Sequence, residues 1–388
     1  MTDEEKTQRL LFLDNIKFLF AVLVIFQHVR ITYGGEGIWY YIEGGELDLL
    51  STIIFTTFTS VGGLFQSSLM GLFFLMGAFF TPKSYDRKGV STFWKERLLR
   101  LGLPLLLYIV FINPFLYYVI LALKNPQLTF LDYYLSKFQS LYSIMVFLTN
   151  VGPMWFLYGL LIFTLLYTIW RQITKLDTLK QYIPPDFSIL KNRYLLLVAI
   201  FLGLITFFIR LVSPIDEFPL GFPFAFFPQY LMMFCVGIIA ARYQWFENMS
   251  KEHTKFWTAV ICVVVVLFFL YFFLFLGIEA DLSVLLGGPT IPSLIFSLVD
   301  NIICMGMLFV LIPIFQSKFN KQGNLMKNLS DSSFPMYLIH PPIVVAVTLL
   351  FASVPIIPVV KLVIVFPLCV ALCYLASHYV LLKLLKLL

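Results

Sequence analysis

Apolar runs of about twenty residues recur along this chain, each closed by a short polar segment. Ten of them are long enough to cross a bilayer as helices. The pattern places spans at about 16–33, 52–80, 101–123, 153–170, 194–212, 226–243, 257–277, 291–315, 335–351 and 356–382. The second run is too long for one straight span, so Gly62 and Gly63 are expected to mark a kink or an interfacial lead-in. Residues 138–148 are apolar over only about half a span, which suits an interfacial or re-entrant segment that does not cross. The first run is too long for a signal peptide and has no small-residue cleavage site, so it is read as a retained span. No solenoid repeat or low-complexity linker interrupts the chain. The predicted fold is all-α: one polytopic membrane domain over residues 1–388.

Composition supports this reading. Of 388 residues, 60% are apolar and only 12% are charged, about half the charge of a soluble domain. With 43 Phe and 20 Tyr, the chain is neither disordered nor collagenous, and it is not a nucleic-acid binder. The net charge of +6 matters through its placement. If the N-terminus is cytoplasmic and ten spans alternate, only Arg30, Lys124, Lys137, Arg210 and Lys361 of the 27 Lys and Arg fall outside. That asymmetry is the positive-inside pattern of a cell-membrane protein with both termini cytoplasmic. A crossing at 138–148 would destroy it. The sequons at Asn248 and Asn328 then lie inside, where they are not glycosylated. Cys235, Cys262, Cys304, Cys369 and Cys373 all lie in apolar runs, where packing explains them better than disulfides or zinc. No metal site is expected.

Ionisable residues within spans carry the functional signal, because burying them is costly unless they are paired. The first span holds Asp14, Lys17 and His28. On a helix these fall within an arc of about 60°, with His28 about 16 Å beyond Lys17. One face thus bears an acid–base pair at the inner surface and a histidine in the outer half. A snorkelling lysine with a structural histidine would give the same pattern. Arg97 and Arg100, at i and i+3, share a face at the start of the third span. They suit phosphate binding, or plain positive-inside anchoring. His340 precedes Pro341 and Pro342, so the ninth span is expected to break or kink there, as helices do where they line a cavity. Asp300 has no obvious partner in the sequence, and Arg210 and His378 could snorkel. The glycine- and glutamate-rich segment after the first span reads as a flexible, solvated loop near His28.

Taken in order, these pieces resemble the acyltransferase 3 family of integral-membrane proteins. The family's first span carries an Asp, an Arg three residues on, then ten residues and a His; here Asp14, Lys17 and His28 match, with Lys in place of Arg. The inner Arg-X-X-Arg is matched by Arg97 and Arg100. The phenylalanine-rich end of the second span is matched by residues 73–80, with Gly77 and Ala78 where Ser-Gly is common, and residues 84–89 follow. Gly152, Pro153, Trp155, Phe156 and Leu157 match the opening of the fourth span, and 337–341 match a Tyr-Leu-Ile-His-Pro ending. The resemblance implies transfer of an acyl group, usually acetyl, from cytoplasmic acyl-coenzyme A to a hydroxyl of an extracytoplasmic glycan or glycolipid. It implies His28 as base or transient acyl carrier, with Asp14 in the catalytic set at the inner end of the channel beside Lys17. It also implies Lys17, Arg97 and Arg100 at the donor, with Trp155, Tyr337 and His340 in support. The expected partners are acyl-coenzyme A, the acceptor and the lipid bilayer. The alternative is a solute transporter or glycolipid flippase, which also uses broken helices and buried charge, although no paired repeats are visible here. A purely scaffolding membrane protein would not need the ionisable cluster on one helix face.

Overall fold

The computed structural model describes residues 10–174, 190–276 and 283–387. Four cations of the charge count, Lys6, Arg9, Lys175 and Lys180, lie outside the described residues. Among the described residues, ten helices are long and apolar enough to cross a membrane: α1 (Leu11–Tyr33), α2 (Leu49–Phe79), α3 (Thr81–Lys124), α4 (Gly152–Ile173), α5 (Asn192–Arg210), α6 (Phe224–Tyr243), α7 (Lys251–Leu276), α8 (Ile291–Lys318), α9 (Ser333–Leu350) and α10 (Pro358–Leu384). No strand occurs among the described residues. The chain is an all-α polytopic membrane protein. Its outer surface is a belt of exposed apolar side chains, including Leu106, Phe111, Phe201, Val263 and Phe273. Only helices with satisfied backbones tolerate that exposure to lipid.

Long helices α2 and α8 form the centre. α2 packs most extensively on α6, and α8 on α5 and α7. Small residues permit the close crossings. A Cβ on Gly237 of α6 would meet the Leu75 carbonyl of α2 at 2.3 Å, and one on Gly203 of α5 would meet the Leu298 backbone of α8 at 2.9 Å. Glycine at such crossings lets backbones approach where no hydrophobic effect drives association. α1, α9 and α10 form a second group against this core.

Three expectations are corrected. α2 is continuous helix through Gly62 and Gly63 over all its 31 residues. Instead, the break falls at Gly89 in α3, where φ is 72°. There a short arm at 81–88 turns into the span proper. α9 continues as helix through Pro341 and Pro342. Pro341 has no N–H for the Tyr337 carbonyl, but His340 Nδ1 lies 2.6 Å from that oxygen. The imidazole supplies the missing donor, and the helix persists.

The third correction concerns Asp300 and Arg210. Both are fully buried, and they pair at 2.6 Å. Arg210 also donates to Ser297 Oγ and the Ala225 carbonyl, and Asp300 accepts from Gln229 Nε2 at 2.8 Å and from Ser67. This network joins α2, α5, α6 and α8. Arg210 does not snorkel, because its charge is met inside the bundle. As expected, 138–148 does not form a span: the helix there is Leu141–Thr149, nine residues long.

Candidate active site

Cations mark one end of the bundle. Lys17, near the start of α1, pairs with Asp14 at 2.7 Å and lies over the Phe80 ring at 4.9 Å. Next to Phe80, Thr81 accepts from Arg97 Nη2 at 2.7 Å, and the same nitrogen reaches Thr164 of α4 at 3.0 Å. Lys17 and Arg97 therefore flank the α2–α3 corner. A π-helical turn, Leu98–Gly102, begins immediately after Arg97 and sends the two arginines to different neighbours. Arg97 stacks on Phe93, whereas Arg100 is exposed and lies over Phe334 at the start of α9. Neither guanidinium has an acidic partner among the described residues.

At the far end of α1 the aromatic rings gather. His28 stacks on His340 of α9, with centroids 5.1 Å apart and planes at 12°. Trp39 covers His28 at 3.9 Å and 18°. The carbonyl that His340 Nδ1 faces can only accept, so Nδ1 carries the proton and the neutral ring keeps a lone pair on Nε2. That Nε2 is enclosed without a partner among the described residues, as is Nδ1 of His28. His28 as a whole is half-buried. Tyr337 braces this arrangement: its hydroxyl donates to the Pro153 carbonyl at 2.5 Å, tying α9 to α4. Trp155 does not join the histidines. It stacks on Tyr230 of α6 at 5.5 Å.

The loop 34–48 folds back onto the site rather than standing in solvent, although its glycine-rich tip stays exposed. Buried Arg30 donates to Gln27, Thr59 and the Glu36 carbonyl. Glu43 pairs with Lys361 of α10 at 2.5 Å. These anchors hold Trp39 over His28. Next along the loop, Tyr40 bonds to Tyr108 at 2.7 Å and to Asn113, both on α3. Burial pushes the Tyr40 hydroxyl well above the ordinary phenol range, so it remains a neutral donor. Gly152 makes room for this pair: with φ 49°, a Cβ there would meet Tyr40 Oη at 2.6 Å. Trp39, Tyr40, Arg30 and Asn113 escape a reading of the sequence. The one local signal for them is the pair of aromatics set in a loop otherwise rich in glycine and glutamate.

Lys17 and His28 thus lie towards opposite ends of α1, and Arg97 of α3 sits at the corner that Lys17 touches. Among the described residues no group of three His, Cys, Asp or Glu could hold a metal. A family model described as an acyltransferase domain matches residues 10–378. The chain belongs to the acyltransferase 3 family, which favours acyl transfer over the transporter reading. No curated protein and no solved structure matches it.

Proposed function

We propose that this protein moves an acyl group, acetyl by preference, from cytoplasmic acyl-coenzyme A to a hydroxyl of a glycan or glycolipid on the other side of the cell membrane. The observation that carries the reading is the His28 imidazole against His340 and Trp39, on the same helix as the Asp14–Lys17 pair at the cationic end. The thioester enters from that end, its phosphates held by Arg97, Arg100 and Lys17. Its pantetheine arm spans the roughly 16 Å from Lys17 to His28. His28 Nε2 removes the proton of the acceptor hydroxyl as its oxygen attacks the thioester carbonyl. The C–S bond breaks, and the departing thiolate takes the proton back from His28. In the covalent variant the acyl group rests first on Nε2. Mass spectrometry of cell-surface glycans with and without the gene tests the reading: an added acyl mass that depends on the gene supports it, and identical spectra contradict it.

The donor assignment gives its own prediction. A charge-assisted hydrogen bond is worth about 1.5–3 kcal/mol. Arg97→Ala and Arg100→Ala should therefore each raise KM for the thioester by roughly 10- to 150-fold without changing that for the acceptor. Lys17→Arg should be tolerated. Titration of the purified variants with thioester checks this, and unchanged affinity in both Arg variants would reduce the pair to topology anchors.

The orientation is tested by single cysteines in a cysteine-free background. Lys255→Cys should be labelled only from the cytoplasm and Asp216→Cys only from outside. The reverse result would invert the topology.

A further inference from the structure

The bundle has a cavity of about 480 Å³ at the end remote from the arginines, between α3 and the short helices Phe130–Leu135 and Leu141–Thr149. Its walls include Asn113, Tyr117, Tyr133, Lys137, Tyr142 and Asn150. The volume is that of a small-molecule site. Two contacts connect it to the histidines. Tyr117 packs edge-on against Tyr40 at 4.8 Å, and Asn113 bonds to Tyr40. Tyr40 in turn touches Trp39, the ring over His28. The lining joins flat aromatic rings to hydroxyls and amides. Such rings take the C–H faces of a pyranose, while the polar groups bond to its hydroxyls. Burial pushes the Tyr133 hydroxyl up to about 12, so it binds as a neutral phenol.

Lys137 sets the charge. Few cations lie at this end, and most are committed elsewhere: Arg210 to Asp300, Lys361 to Glu43, and Arg30 to the loop. Lys137 has no acidic partner among the described residues and rests over the Tyr133 ring at 4.2 Å. Among the described residues, no carboxylate lines the cavity.

We infer that this cavity is the acceptor subsite and takes a carbohydrate bearing a negative charge, phosphate or carboxylate, held by Lys137. The inference rests on the acyltransferase reading above. Saturation-transfer NMR on the purified full chain tests it with three probes: glucose 1-phosphate, glucuronate and neutral methyl glucoside. The charged pyranoses should bind more tightly than the neutral one, and the tighter of the two identifies phosphate or carboxylate as the anion. Lys137→Gln should weaken charged-probe binding about ten-fold or more, Lys137→Arg should keep it, and Tyr117→Ala should weaken all three probes. Lys124→Gln, an exposed cation outside the lining, serves as the control. Equal binding of all three probes, binding of none, or an unaltered Lys137→Gln overturns the assignment. Coenzyme A thioester binding is measured on the same wild-type sample. If it is retained while pyranoses fail, only the cavity assignment falls; if it is absent, the acyltransferase reading itself fails.

Discussion

Replacing His28 with alanine leaves a folded protein whose acyl transfer is slower by at least about 100-fold, the usual worth of a positioned general base. The expectation follows from geometry. His28 packs against both Trp39 and His340, but its ring Nδ1 makes no hydrogen bond that the fold requires. Its loss removes chemistry and little else. His340→Ala differs in kind. It frees the Tyr337 carbonyl that Pro341 cannot serve, and an unsatisfied buried carbonyl costs about 1–3 kcal/mol. That variant should lose thermal stability together with activity. Initial rates of coenzyme A release, set beside melting curves in detergent, separate the two cases. A folded His28→Ala with near-normal rates would remove His28 from the mechanism.

The largest effect on stability is expected at Asp300. Asp300→Asn leaves Arg210 buried without a counter-charge, and breaking a buried pair in this way costs about 3–5 kcal/mol. Against the marginal stability of a folded domain, this should appear as lost monodisperse protein and a sharply lowered melting temperature. Replacing both partners, Arg210→Met with Asp300→Leu, should recover most of the loss, because neither charge then remains to be desolvated. An Asp300→Asn protein as stable as the wild type would show that Ser297 and the Ala225 carbonyl alone suffice for the guanidinium.

Much of this architecture was legible in the sequence because it is local. Ten apolar runs give ten helices, and helical spacing alone puts Asp14, Lys17 and His28 on one face. What could not be read was long-range or compensated. Arg210 and Asp300 lie ninety residues apart in the chain, and no local pattern links them. Pro341 and Pro342 predicted a break by a sound backbone rule, and the break is absent because the preceding side chain provides the missing donor. Trp39 and Tyr40 sit in a loop whose composition suggests solvent, and Arg30, Glu43 and Lys361 draw that loop inward. The π turn after Arg97 is likewise invisible to i, i+3 counting. The two arginines were found, but their separate surroundings were not.

Sealed membrane vesicles of opposite orientation, given radiolabelled acetyl-coenzyme A from outside, test whether His28 transfers an acyl group from a cytoplasmic thioester. The thioester does not cross the bilayer, and the membranes carry their own acceptors. Alkali-labile label is expected on membrane glycans in inside-out vesicles containing the wild type, and none in right-side-out vesicles or in inside-out vesicles containing His28→Ala. Equal labelling in both orientations, or undiminished labelling by His28→Ala, would contradict this expectation.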